Sequence, residues 1–220
     1  MHEQKELSPD RFAGQVAESH ALLGAWLDLY QIHSATADSG ALTDDRLLRS
    51  LIERKRAGDY RAVGVTLTGV DAARALDLAL AARVDGEPVF DVVHATFNVL
   101  EPSLACPLAD AHAAGRGVIV KEVFANGRLT DAEAAHDPGL ARLSAVARTR
   151  RIGVDQLALA WVLQHPFIDC ALSGAATTPQ LRSHVAATTI ALDDEVEQIV
   201  RGVAESPDAY WRRRAALPWS

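Results

Sequence analysis

Aromatic residues are scarce in this chain, at 5% of 220 positions, while 49% of its residues are hydrophobic. The apolar content is alanine- and leucine-rich, which favours many helices. There are two cysteines, Cys106 and Cys170, without metal-ligand spacing. Both lie in apolar or helical contexts, so buried, reduced thiols and no metal are expected. The polar start Met1-His-Glu-Gln-Lys-Glu is followed by neither a signal peptide nor a transmembrane run. A soluble, cytoplasmic protein is expected. With a net charge of −7 there is no basic stripe, and neither nucleic acid nor membrane is expected as a partner. Arg212-Arg213-Arg214, the densest basic cluster, reads as a solvated helix end. Neither a Walker pattern nor Gly-x-Gly-x-x-Gly occurs, so no P-loop or Rossmann site is supported.

What is present is an alternation of apolar runs with helical patterns. Ser8-Pro9-Asp10 opens a helix that Gly24 stops. Strands are predicted at 27–32, 62–67, 90–96, 118–123 and 168–172, with helices between them and a capped helix starting at Asp193-Asp194. Runs such as Val118-Ile119-Val120 are continuously apolar, as in parallel strands covered on both faces. With no linker visible, residues 1–220 read as one α/β domain of five βα units.

Each predicted strand ends in polar or glycine residues: His33-Ser34, Thr66 with Thr68-Gly69, Asn98, Lys121-Glu122 and Ser173-Gly174. Parallel strands put their tips at one end, where a pocket can form. His33 reads as a proton donor, as a donor polarising a carbonyl, or as a satisfied histidine ending a strand. Lys121 follows three aliphatic residues, which points to a buried stem; it could hold an anion, form a Schiff base or pair with Glu122, the last disfavoured because adjacent strand residues point to opposite faces. Ser173-Gly-Ala-Ala-Thr-Thr-Pro-Gln180 is a small-residue loop leading into a helix N-terminus, suited to a phosphate or simply a capped helix. Arg128, in Asn126-Gly127-Arg128, adds a cation for such an anion or is solvated.

In this order, Asp28-Leu-Tyr-Gln-Ile-His33, Val63-Gly-Val-Thr-Leu-Thr68, Phe97-Asn98-Val-Leu-Glu101, Gly117-Val-Ile-Val120 with Gly127-Arg-Leu129, and Ser173-Gly-Ala175 with Gln180-Leu181 resemble the aldo-keto reductases. The resemblance runs over about residues 7 to 205. It implies a (β/α)8 TIM barrel and NADPH-dependent reduction of an aldehyde or ketone. By resemblance His33 orients the carbonyl, and Thr66 and His94 hold the nicotinamide carboxamide. Lys121 stands where many members stack an aromatic on the nicotinamide. Ser173, Gly174, Ala175 and Gln180 lie along the phosphates and adenosine, with Arg128 as a further cofactor residue.

The chain departs from the family pattern with His94 for Gln, Lys121 for Tyr and His184 for Asn. The helix from Ser8 to Leu23 resembles the one before the family's fourth strand. The three βα units that carry the family's catalytic Asp, Tyr and Lys have no counterpart ahead of it. Five strands cannot close an eight-stranded barrel, so a homodimer or another partner covering the open edges is expected. Three functions follow: reduction with the missing groups supplied; non-redox acid–base chemistry such as dehydration, cyclisation or isomerisation; or a non-catalytic remnant binding nucleotide or a partner.

Overall fold

A computed structural model describes residues 8–217. Its contacts divide the chain into two compact units. Of the described residues, the first comprises 8–95 together with Ala111–Gly117. The second comprises Thr96–Asp110 and 118–217.

In the first unit, α1 (Pro9–Leu23) begins at Ser8, whose hydroxyl accepts the Arg11 N–H, and ends at Gly24 with φ +52°. It leads into β1 (Leu29–Ala35), followed by α2 (Asp45–Ala57), β2 (Ala62–Leu67) and α3 (Ala72–Ala81). A short hairpin of β3 (Arg83–Val84) and β4 (Glu87–Pro88) precedes β5 (Val92–Thr96). β1 pairs in parallel with β2, and β2 with β5. The Asp44 side chain accepts the N–H groups of Arg46 and Leu47 at the start of α2. That helix buries Leu47, Leu48, Leu51 and Ile52 on one stripe. Phe12 meets Tyr30 edge-on at 5.6 Å, and Tyr30 stacks on Tyr60 at 5.2 Å. These rings fasten α1 to β1, while the Tyr60 hydroxyl donates to the Leu51 carbonyl at 2.9 Å.

From α4 (Ala105–Ala113) the chain enters β6 (Gly117–Lys121). In the second unit β6 pairs in parallel with β7 (Cys170–Ala171). The helices there are α5 (Asp131–Ala134), α6 (Ala141–Thr149), α7 (Val154–Leu163), α8 (Thr178–Ala187), α9 (Asp194–Val203) and α10 (Pro207–Ala215). Most of α7 is buried, including Leu157, Ala158 and Val162. Phe97 stacks on Trp161 at 5.2 Å.

Aspartates just before strands set the register in both units. Asp91 accepts the Val63 N–H at 2.8 Å while held by the Lys55 ammonium at 2.6 Å. Asp169 accepts the Val118 N–H at 2.7 Å. In each case a carboxylate covers a strand-end N–H that the ladder leaves open.

Several expectations are corrected. β1 begins two residues later than predicted and runs through His33 to Ala35. Cys106 and Cys170 are free but exposed, not buried, because Cys106 lies on the open side of α4 and Cys170 in a two-residue strand. The arginine cluster is not simply solvated. Arg213 pairs with Asp137 at 2.7 Å and Arg214 with Glu122 at 2.7 Å, both partners distant in sequence. No helix among the described residues is long and apolar enough to cross a membrane.

Candidate functional site

His33 sits in an irregularity of β1. Ile32 pairs with Val65 and Ala35 with Leu67, so His33 and Ser34 together face the single residue Thr66. This is a β-bulge, a device that re-aims a side chain and often borders a site. Ser34 has φ +54°, a left-handed conformation that costs a non-glycine residue about 1–2 kcal/mol. The His33 ring is exposed, Ser34 is buried, and the Ser34 hydroxyl lies 3.3 Å from His33 Nδ1.

Beside His33 is a cavity of about 360 Å³, lined among others by Phe12, Glu18, Leu22, Tyr30 and Gln31. Burial raises the Tyr30 pKa. Gln31 packs over Gly64, where a Cβ would stand 2.8 Å from Gln31 Cγ. The buried Gln31 Oε1 has no hydrogen-bond partner. The sheet order ends at β1, so no described strand pairs with its other edge.

Thr66 and His94 are register partners on β2 and β5. Thr66 Oγ1 lies 3.2 Å from His94 Nδ1, and Thr66 is buried. The first unit therefore brings these two together near the level of the bulge.

In the second unit, Lys121 ends β6 and is half-buried. The Leu172 N–H donates to the Val120 carbonyl, so Ser173 follows on the neighbouring strand tip. Three predicted site residues share one backbone feature. His33, Lys121 and Ser173 are each followed by a left-handed residue: Ser34 at +54°, Glu122 at +54° and Gly174 at +60°. Such conformations in non-glycine residues persist where their surroundings over-determine them, and they gather at functional sites.

The loop after β7 is largely satisfied from within. The Ala175 N–H donates to Ser173 Oγ, and the Ala176 and Thr177 N–H groups donate to Gln180 Oε1 at 2.9 and 3.0 Å. The Gln180 N–H donates to Thr177 Oγ1, completing a capping box at α8. Gly174 has open space where a Cβ would stand. His184 is buried against the Phe124 ring at 4.4 Å, with Nε2 3.7 Å from Asp155.

Arg128 is neither solvated nor a free loop cation. It is 7% exposed and forms a two-pronged ion pair with Glu205. The reason is tertiary: the α9–α10 connection carries Glu205 onto it.

The sequence reading overlooked a further cluster. The Tyr210 hydroxyl accepts from Asn98 Nδ2 at 3.1 Å and donates to Glu122 Oε2 at 3.2 Å. Glu122 also takes both Nε and Nη2 of Arg214. Burial and then the Glu122 charge raise the Tyr210 pKa. Asn98 and Glu122 are visible as strand tips, but the only sequence sign of their partners is the Tyr-Trp-Arg-Arg-Arg run.

Comparison with known proteins agrees with this architecture. The family model described as the aldo/keto reductase family matches residues 1–205. No curated protein sequence matches the chain. Among solved structures, the aldo-keto reductase AKR11C1 from Bacillus halodurans in its holo form superposes with a TM-score of 0.70 at 19% identity, covering 92% of this chain and 69% of that one. Its apo form gives 0.69 at 22% identity, covering 90% and 70%. The thermostable aldo-keto reductase Tm1743, solved with the inhibitor epalrestat, gives 0.72 at 19% identity, covering 90% and 68%. The fold is thus α/β of the (β/α)8-barrel type, represented by five parallel strands. The chain belongs to the aldo/keto reductase family.

Proposed function

We propose that this chain carries the carbonyl-orienting and cofactor-holding part of an NADPH-dependent reductase of aldehydes or ketones. The proton donor lies outside these 220 residues, at the open side of β1. The observation that carries this reading is His33, exposed in a bulge beside the cavity. An imidazole N–H there can bond the oxygen of a small carbonyl compound and polarise it.

Each unit, taken by itself, offers part of what the cofactor needs, although several N–H groups after β7 are already bonded within the loop. Thr66 and His94 form an adjacent hydroxyl–imidazole pair, a donor and an acceptor suited to a carboxamide. Ser173, Gly174 and Ala175 offer small side chains and open space at Gly174, so backbone can approach a phosphate. Lys121 adds a positive charge at its strand tip. Arg128 is committed to Glu205, and the Gln180 amide oxygen to the α8 cap. NADPH, when bound, supplies the hydride. Within the first unit Thr66 and His94 would hold the carboxamide and His33 the carbonyl oxygen.

None of the three tyrosines is set up as the proton donor. The Tyr60 and Tyr210 hydroxyls are bonded internally, and Tyr30 is stacked between rings. The chain alone is therefore slow, because general acid catalysis is worth about 10²–10⁴-fold. The exposed free thiols support a reducing, cytoplasmic setting. The test is NADPH titration by fluorescence with aldehyde-dependent NADPH oxidation. Saturable binding and a slow rate lost in His33→Ala are expected, and absent binding overturns the reading.

The commitment of Arg128 and Gln180 favours one alternative, non-redox acid–base chemistry at His33, His94 or Lys121. Activity indifferent to NADPH but lost in His33→Ala would select it.

A further inference from the structure

We propose that Ser34 is a positioning residue that fixes His33 in the tautomer carrying its proton on Nε2. Three observations converge. The bulge places His33 and Ser34 together opposite Thr66, so their geometry is set by the sheet and not by a free loop. Ser34 is held at φ +54°, where few side chains other than Asn and Asp are found. Its hydroxyl stands 3.3 Å from His33 Nδ1, while Ser34 is buried and the ring is exposed to the cavity.

A hydroxyl can donate to Nδ1 or accept from it. If it donates, Nδ1 is the acceptor and Nε2 keeps the ring proton. That leaves an N–H to offer a carbonyl oxygen. In the reverse arrangement Nε2 is a bare acceptor and repels that oxygen. The choice between them rests on the reading of His33 as the carbonyl-orienting residue.

Nitrogen NMR of histidine-labelled protein tests the assignment, with the His33 signals identified by their loss in His33→Gln. The wild-type chain is expected to show one neutral tautomer with the proton on Nε2. In Ser34→Gly the hydroxyl is gone, yet glycine keeps the left-handed backbone without strain. The signals should then move toward a mixture of tautomers with circular dichroism unchanged, and kcat for carbonyl reduction should fall about tenfold, one hydrogen bond's worth. Ser34→Asn, which also tolerates the backbone and restores a donor, should return the signals toward wild type. A wild-type proton on Nδ1, or signals unchanged in folded Ser34→Gly, overturns the proposal. If the tautomer behaves as expected but no carbonyl is reduced, the functional reading fails and the positioning role stands.

Discussion

Tyr210 donates its hydroxyl to Glu122 across 88 residues of sequence, and Glu122 is held at the same time by Arg214. This bond ties α10 to the tip of β6, next to Lys121. It also accounts for the left-handed backbone at Glu122, since the carboxylate is pinned from two sides. Tyr210→Phe keeps the ring packing and removes only the hydroxyl. Stability should fall by about 1–3 kcal/mol, because a buried polar cluster loses a partner. The urea midpoint measures it.

Alkaline pH tests the buried tyrosines. Burial raises the pKa of Tyr60 and Tyr210, with neighbouring charges adding to it. The folded state therefore keeps these protons when the unfolded chain begins to release them near about pH 10. Their contribution is fully present below that pH and is lost progressively above it. Urea midpoints should decline above about pH 10, and the decline should shrink in Tyr60→Phe and Tyr210→Phe.

Glu101 shifts in the same direction, at lower pH. It is buried, one carboxylate oxygen has no partner, and burial, followed by the Glu205 charge, raises its pKa although Ser103 opposes the shift. The fold thus penalises the charged form, and stability at neutral pH suffers. Glu101→Gln should stabilise the protein by about 1 kcal/mol at neutral pH. The gain should vanish as pH falls and Glu101 becomes protonated. Unfolding curves at neutral and acid pH give both values.

Arg128 is buried and pairs with the half-buried Glu205, which Arg213 also approaches at 3.5 Å. Arg128→Ala should cost about 1–3 kcal/mol, since Glu205 keeps one weaker partner. Arg128→Ala should leave NADPH affinity in the surviving folded protein within a factor of about two. A much larger loss, read by fluorescence titration, would return Arg128 to the cofactor.

The parts legible in sequence are those set by local pattern. The apolar runs gave the parallel strands, and Ser8 and Asp193 marked helix starts that the structure confirms. What escaped depends on distant residues. The bulge at His33 exists because Ala35 pairs with Leu67 instead of Thr68, a register that no local signal encodes. Arg128, Arg213 and Arg214 look like solvated charges until Glu205, Asp137 and Glu122 reach them. The exposure of Cys106 and Cys170 depends on how α4 and β7 are covered, which their apolar neighbours do not reveal.

The central claim is that His33 orients a carbonyl for reduction by NADPH. Its most direct test is NADPH oxidation by the purified chain with an electron-poor aldehyde, wild type against His33→Ala. A slow, saturable, aldehyde-dependent rate that falls at least about tenfold in the variant is predicted. Equal rates in the two proteins, or no aldehyde-dependent oxidation in the wild type, would contradict it.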